Sequence, residues 1–386
     1  MSGRLLFFNC STDMALASGL DHYTPPPMIQ IMERELELLP LWWAEEGDVV
    51  LVSDIAGARR FLSDLNEQFV ASGLPPKHVG FADVKGRLVD TELGWDALRP
   101  CPWGWNRSIA RQFLKLGINP CFLPSSERLE HIRSLSSRRT AVVYLHRLLE
   151  HFRTDVRDCC LEQTNALLGA DMRFEEDYAG CVAAVRTLLT VGPVMLKSPW
   201  SSSGKGNYVV RAEDENVLRW VKSVVAKQGG LCIDRFHQKV LDFAMEFHLE
   251  AGSCRFLGYS LFDTDGQGRY EGNRVSSQER ILEDIVSFGA ERALLEQLVE
   301  YHISHLPILL GGDYEGVVGI DMLLARGGSA IALHPCIEIN MRRNMGVVAM
   351  SLARQSVPVS YLTPSSHSHF RARLLGGRFF IERCMG

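Results

Sequence analysis

The chain has 386 residues, of which 46% are hydrophobic, and a formal net charge of −5. This length exceeds what one hydrophobic core usually supports, so two or three subdomains are expected. Lysine and arginine are scattered and the balance is slightly acidic, which argues against nucleic acid as the main partner. No window approaches the roughly 20 apolar residues of a membrane-spanning helix, and polar residues follow the apolar stretch at 5–8 too soon for a signal peptide. A cytoplasmic protein with no membrane partner is therefore expected.

The ten cysteines do not form a regular framework, and no C-x-x-C pair occurs among them. Scattered cysteines in a chain of this length indicate reduced thiols within hydrophobic cores. Structural zinc sites commonly use closely spaced cysteine pairs. The sequence therefore predicts no structural zinc site.

The first third of the chain alternates apolar runs with helical patterns. Predicted strands cover residues 4–9, 48–52 and 118–123, and predicted helices cover residues 28–39, 55–69 and 105–116. Such alternation predicts an α/β layer with parallel strands. The residues after the first strand, 9–13 and 23–27, either face a second substrate, as the carboxyl ends of such strands often do, or form a rigid turn.

After a boundary at residues 124–126, a helix is predicted over residues 138–152, with Ser137 as its cap. The pattern then changes towards strands and hairpins. Further strands are predicted at residues 194–198, 207–211, 231–236, 242–250, 254–262, 316–324 and 330–340, and helices at 213–226 and 290–305. This part of the chain is therefore predicted to have α+β character.

A lysine at the end of a predicted strand precedes a loop of hydroxyl and glycine residues. The segment contains Lys197 followed by Ser201, Ser202, Ser203, Gly204, Lys205 and Gly206. The backbone N–H groups of such a loop and the charge of the lysine suit a polyphosphate. Pro199 and Gly206 occupy positions where a Walker A loop needs Gly and Ser or Thr, so that motif is excluded. A flexible hairpin tip is the alternative, since Ser and Gly are common in turns.

Two carboxylates interrupt apolar strands late in the sequence. Asp321 lies among Val, Ile, Met and Leu residues, and Glu338 lies between two isoleucines, with Asn340 two positions further. Carboxylates in apolar strands need a cation or a charged partner, and Asp, Glu and Asn oxygens are ligands that Mg²⁺ takes. A tight turn would place Asp321 opposite a residue before Glu338, but a bulge at Pro335 would shift the register. Structural ion pairs are the alternative interpretation.

The segment with Lys197 and the Ser/Gly loop is followed along the chain by the segment with Asp321 and Glu338. Together, these two segments resemble the ATP-grasp superfamily. The similarity is carried by the lysine that ends a strand, the Ser/Gly loop, a hinge strand, and an Asp followed by the pattern Glu-x-Asn-x-Arg, and it spans about residues 125–350. It implies an α/β fold in which a pre-ATP-grasp-like domain, residues 1–124, precedes a two-lobed ATP-grasp fold. The smaller lobe is expected at residues 125–240 and the larger lobe at 241–386.

The resemblance also implies a nucleotide site. Lys197 is expected to contact the α- and β-phosphates, and residues 201–206 to close over them. Asp321, Glu338 and Asn340 are expected to hold one or two Mg²⁺ ions, for which Mn²⁺ could substitute.

Other nucleotide contacts are implied by position. Arg138 or Arg139 stands where the family has a lysine that reaches ATP. The hinge strand up to Phe236 is expected to contact adenine, with Asp234 near the ribose, and Glu246 resembles a carboxylate that recurs after the hinge.

The resemblance implies an ATP-dependent ligase for small-molecule partners. A substrate carboxylate would attack the γ-phosphate to give an acyl phosphate, which an amine would then displace. Arg342 is expected to stabilise the transferring group, and Arg274 either binds the substrate carboxylate or is a solvated loop residue. A kinase that stops after phosphorylation and a non-catalytic nucleotide-binding protein are the alternatives. The sequence is compatible with a homo-oligomer.

Overall fold

The computed structural model describes residues 3–155, 166–201, 206–266, 268–327, 330–355 and 358–384. The chain divides into two compact units, residues 1–130, 272–277 and 347–386 in the first, and residues 131–271 and 278–346 in the second. Residues 347–386 were assigned to the C-terminal lobe from the sequence, whereas the structure groups them with the N-terminal residues. Hydrogen bonds link them: the buried Trp42 indole donates to the Leu362 carbonyl, and the Glu35 carboxylate accepts from the Phe370 backbone.

Seventeen strands are defined within the described residues. Strands β1 to β17 span, in chain order, Gly3–Phe7, Val49–Val52, Gly80–Asp83, Leu88–Val89, Leu98–Pro102, Ala166–Leu167, Arg173–Glu175, Val194–Lys197, Asn207–Val210, Leu231–Arg235, Lys239–Glu250, Ser253–Thr264, Tyr270–Arg274, Gly316–Gly327, Ala330–Asn340, Phe370–Leu375 and Arg378–Arg383.

Eleven α-helices are defined in the same parts of the chain. Helices α1 to α11 span Thr12–Ser18, Pro27–Glu35, Ile55–Ala71, Arg107–Lys115, Ser126–Leu135, Arg138–Asp155, Tyr178–Leu189, Glu215–Gln228, Gln278–Ser287, Arg292–Leu310 and Met345–Gln355. Over the described residues, no helix is both long and apolar enough to cross a membrane. The α/β class predicted from the sequence is confirmed.

The first unit contains a five-stranded sheet in the order β4-β3-β2-β1-β5, parallel except for β4. Every residue of β2 is buried, as expected for a parallel strand covered on both faces. The strand predicted at 118–123 is wrong: Asn119 caps a short 3₁₀ turn there. Strand β5 was not predicted because its two prolines obscure it in the sequence, and strands β3 and β4 were not predicted either. Proline is tolerated in β5 because this strand lies at the edge of the sheet.

The second unit contains a four-stranded antiparallel sheet in the order β7-β10-β8-β9. Helices α7 and α8 pack on it through a core of buried aliphatic residues. Gly230, just before β10, packs so closely that an added Cβ would lie 2.5 Å from the ring of Phe174. This sheet positions Lys197 at the end of β8 and Asp234 near the end of β10.

A larger sheet in the same unit has the order β12-β11-β14-β15-β6, and its first four strands are antiparallel. A bulge interrupts the β14–β15 pairing. Leu323 is opposite His334, but Asp321 is opposite Glu338, so β15 has two more residues than β14 between these pairs. Pro335 lies in the extra stretch. The register shift predicted at this proline is therefore confirmed.

Candidate functional site

One face of the larger sheet gathers the oxygen-bearing side chains of three neighbouring strands. Asp321 is paired with Glu338 across β14 and β15, and in the adjacent row Gly319 is paired with both Glu246 and Asn340. Residues two apart on a strand share a face. The bulge therefore brings these polar side chains, distant in sequence, into one group, here called the oxygen cluster: Glu246, Asp321, Glu338 and Asn340.

Arg138 joins this cluster from the first turn of α6. Its side chain is 4% exposed, and it donates to a carboxylate oxygen of Glu338 at 2.6 Å. The same guanidinium donates to the Ser198 carbonyl at 2.5 Å and to the Ser201 hydroxyl at 2.8 Å. Of the two arginines considered from the sequence, Arg138 therefore belongs to the site, whereas Arg139 is largely exposed and pairs with Glu176.

Glu246 is the most deeply buried carboxylate of the oxygen cluster. Its two oxygens accept from the Ser260 hydroxyl at 2.9 Å and from the Asn344 amide at 2.7 Å. Burial raises its pKa to about 7, although these two hydrogen bonds and the charge of Arg342 oppose the shift. An added Cβ on Gly319 would lie 2.8 Å from this carboxylate, and one on Gly346 2.5 Å from it. The absence of side chains at both glycines makes room for Glu246.

Asp321 lies at the centre of the cluster. Burial and the nearby negative charges of Glu338 and Glu246 raise its pKa well above the ordinary value, while a hydrogen bond from Asn340 and the charge of Arg342 oppose that shift. Like-charged carboxylates in one row repel unless a cation lies between them. Oxygen donors of this kind fit Mg²⁺ or Mn²⁺. Asp321, Glu338 and Asn340 are therefore a chemically suitable ligand set for such an ion.

Lys197 ends β8, opposite Cys232 of β10 and Asn207 of β9. It is 7% exposed, and its charge acts on the buried Asp234 and on Cys336. On the other side of the loop, an added Cβ on Gly206 would lie 2.4 Å from the side chain of Ser201, so only glycine fits there.

The middle of the predicted phosphate loop, Ser202, Ser203, Gly204 and Lys205, lies outside the described residues. Its two ends, at Ser201 and Gly206, are described. The Ser198 backbone donates to the Gly206 carbonyl at 2.9 Å. Residues 201–206 therefore begin and end next to Lys197 and Arg138.

At the end of the hinge strand, the Asp234 carboxylate faces two histidines. It lies 3.3 Å from a ring nitrogen of His334 and 3.8 Å from one of His237. Burial alone would raise its pKa, but these imidazoles and the charge of Lys197 lower the pKa of Asp234 well below its usual range. Neither histidine was singled out from the sequence. Phe236, half-buried, packs beneath the guanidinium of Arg211, 5.7 Å from its ring centre.

Two other groups considered from the sequence lie in the first unit. Arg274 is exposed at the end of β13, where it pairs with Arg378 of β17. Asn9 and Thr12, after β1, are buried and hydrogen-bonded within that unit, Asn9 to Gly104 and Thr12 to Asn106. Their contacts support the rigid-turn interpretation of this segment.

No protein-family model matches the sequence, and no curated protein matches it. Several solved structures are similar to the chain. The N5-carboxyaminoimidazole synthetase of Staphylococcus aureus complexed with ADP is 11% identical, with 90% of this chain and 77% of that chain covered and a TM-score of 0.43. The D-alanyl-alanine synthetase A of Vibrio cholerae is 12% identical, with coverages of 81% and 94% and a TM-score of 0.42. The biotin carboxylase of Campylobacter jejuni is 14% identical, with coverages of 90% and 67% and a TM-score of 0.45.

Proposed function

We propose that this chain is an ATP-grasp enzyme that uses ATP to activate a small-molecule carboxylate as an acyl phosphate for attack by an amine. The observation that carries the proposal is the register of β14 and β15. It pairs Asp321 with Glu338 and Gly319 with Asn340. In the same unit the chain has a buried lysine at a strand end beside the Ser/Gly loop. A cation site and a polyphosphate-binding loop together are what binding of a nucleoside triphosphate requires.

The oxygen cluster would hold one or two divalent ions through Asp321, Glu338 and Asn340. Such an ion would supply positive charge that offsets the negative charge of the phosphates. Within the cluster, the hydrogen bond from Arg138 holds Glu338 in place. Glu246 is held in the same cluster by Ser260 and Asn344. At a pKa of about 7, it is close to half protonated at neutral pH.

Cationic side chains carry the rest of the proposed chemistry. Lys197 would contact the α- and β-phosphates, and Arg342 would stabilise the negative charge of the transferring phosphoryl group. No side-chain nucleophile is needed, because positioning and charge neutralisation supply most of the rate enhancement in phosphoryl transfer. Phe236 would contact the base.

The test is an ADP-release assay with ATP and Mg²⁺ over a panel of carboxylates, each with and without amines. Hydroxylamine is added to a parallel set, because it captures an acyl phosphate as a stable hydroxamate. We expect ADP and phosphate to form only with one class of carboxylate, and hydroxamate to replace the amide product when no amine is present.

Two outcomes would contradict the ligase. Accumulation of a stable phosphorylated product, without any requirement for an amine, would identify the kinase alternative. Calorimetric binding of ATP with no ADP release across the panel would identify a nucleotide-binding protein without turnover. Absence of ATP binding would reject all three interpretations.

A further inference from the structure

A second group of metal-ligating side chains lies in the second unit, apart from the oxygen cluster. It consists of Asp234 at the end of β10, His237 in the connection to β11, and His334 in β15, and is called here the imidazole cluster. One ligand atom from each residue lies within 4.8 Å of the others. Two parts of the chain that are distant in sequence therefore converge on one point.

The distances within the imidazole cluster suit a small ion. Ring nitrogens of His334 and His237 lie 3.3 and 3.8 Å from the two oxygens of Asp234, and the two ring centres are 5.6 Å apart. A tetrahedral zinc ion with bonds of about 2.0–2.1 Å holds its ligand atoms about 3.3 Å apart. Small side-chain adjustments would therefore close the group around such an ion.

The histidines also lack other partners in the part of the chain that the structure describes. His334 is fully buried, yet neither of its ring nitrogens has a hydrogen-bond partner there, and the same holds for Nε2 of His237. The 3.3 Å contact between His334 and Asp234 does not have the alignment of a hydrogen bond. Buried polar atoms without partners are costly. Their arrangement around a carboxylate indicates that a ligand completes the group.

The space around His334 limits what this ligand can be. An added Cβ on Gly169 would lie 2.8 Å from Nε2 of His334, and it would also meet the side chain of Leu145 at 2.7 Å. The backbone at Gly169 therefore lies close to this imidazole and leaves little room on that side for a ligand larger than an ion.

We propose that Asp234, His237 and His334 bind one divalent transition-metal ion, with zinc as the best chemical match, and that water fills the remaining coordination position. Imidazole nitrogens suit zinc, copper or nickel, whereas Mg²⁺ takes oxygen ligands. The positive charge of Lys197 acts on this group and weakens cation binding, and the carboxylate of Asp234 offsets it. The absence of cysteine pairs argued against a structural zinc site, but this ligand set needs no cysteine.

The ion would join the end of β10 to β15 beside the bulge. In this proposal Asp234 is a ligand of the ion and not the ribose contact expected from the sequence. The ligands do not include Asp321, Glu338 or Asn340, so metal binding here does not require the oxygen cluster.

The test titrates the metal-depleted full-length protein with Co²⁺, whose tetrahedral complexes absorb strongly in the visible range, with excess Mg²⁺ present to occupy oxygen sites. We expect one equivalent of Co²⁺ to give this absorption and one equivalent of Zn²⁺ to abolish it. His237→Ala, at a partly exposed position, is expected to weaken binding by about tenfold or more. His131→Ala, at an exposed histidine that pairs with Asp313, is the matched control and should bind normally.

Glu338→Gln separates this proposal from the proposed function, since it should remove ATP turnover and leave the Co²⁺ absorption intact. Absence of the absorption band in the folded wild-type protein would overturn the proposal. Unchanged Co²⁺ affinity in both His237→Ala and Asp234→Asn would also overturn it, because the ion would then lie elsewhere.

Discussion

The oxygen cluster and the imidazole cluster lie on either side of one bulge in β15, and they differ in how their polar atoms are satisfied. In the oxygen cluster, Glu338 accepts from Arg138 and Glu246 accepts from Ser260 and Asn344. In the imidazole cluster, the ring nitrogens of His334 have no hydrogen-bond partner among the described residues. Glu338 and Glu246 therefore have protein donors for their oxygens, whereas the ring nitrogens of His334 do not.

Two buried thiols lie near these groups. Cys232 lies opposite Lys197 in the small sheet, and Cys336 lies in the bulge between His334 and Glu338. Burial raises the pKa of Cys232 to about 12 and also raises the pKa of Cys336, with nearby carboxylates adding to both shifts. Both therefore remain neutral thiols at physiological pH. In the two proposals, strand β15 supplies ligands to a hard and to a borderline cation, with the neutral thiol of Cys336 between them.

The largest expected effect comes from Glu338→Gln, which removes one charge from the oxygen cluster only. Loss of a metal ligand should lower Mg²⁺-dependent ATP turnover by at least about 100-fold, while the fold survives because Gln keeps an acceptor for Arg138. Steady-state kinetics and circular dichroism would measure the two properties. Glu250→Gln, at an exposed strand end, is the control. Turnover close to that of the wild type would remove Glu338 from the metal site.

Glu246→Gln should change how stability depends on pH. The pKa of Glu246 is raised from 4.5 to about 7, so stabilisation by the protonated form is complete below pH 4.5 and is lost as the pH rises to 7. This group alone should lower the free energy of unfolding by about 3 kcal/mol across that window.

Urea denaturation of the metal-free protein between pH 4.5 and 8 would measure this dependence. The Gln variant should lose that part of the slope and exceed the wild type in stability above pH 7. Glu300→Gln, at an exposed position of α10, should keep the slope of the wild type. A slope that is equal in the wild type and in Glu246→Gln would contradict the assignment.

Lys197→Met tests a proposed phosphate contact whose charge also acts on the imidazole cluster. The substitution keeps most of the volume and removes the ammonium group, so nucleotide affinity should fall by about 1.5–3 kcal/mol, the contribution of a charge-assisted hydrogen bond. Calorimetry with ATP would measure this loss. Affinity for Co²⁺ at the imidazole cluster should rise, because a nearby positive charge is gone.

The matched control is Lys222→Met, on the exposed side of α8, which should alter neither affinity. If ATP binds to the Lys197 variant as tightly as to the wild type, the phosphates lie elsewhere. If ATP binding weakens but the Co²⁺ affinity does not rise, the charge of Lys197 does not affect metal binding at the imidazole cluster.

Gly319→Ala should have the smallest effect and should act on the oxygen cluster alone. An added Cβ would lie 2.4 Å from the Asn344 amide and 2.8 Å from Glu246, so both must shift, at a cost of about 1–3 kcal/mol in the free energy of unfolding. Gly192→Ala is the control, since its Cβ meets nothing within 4 Å. Chemical denaturation would compare the two. Equal stabilities of the two variants would mean that Asn344 and Glu246 can move aside without a cost in free energy.

The oxygen cluster could be predicted because each of its signals is local. Asp321 and Glu338 interrupt apolar runs, and Pro335 indicated the bulge that pairs them. The choice of Arg138 over Arg139 could not be predicted, since the two are adjacent and only the packing of α6 decides which one is buried. The imidazole cluster left no local signal, because His237 and His334 are distant in sequence and meet only in the folded chain. Strand β5 was missed because prolines obscured its pattern.

The bulge in β15 also constrains how the length of this chain can change. Strand side chains alternate between faces with a period of two, so losing or gaining one residue between His334 and Glu338 would turn Glu338 and Asn340 to the opposite face. A change of two residues would keep the face but move the carboxylate to another row. Related sequences with the same chemistry are therefore expected to keep an even spacing between His334 and Glu338.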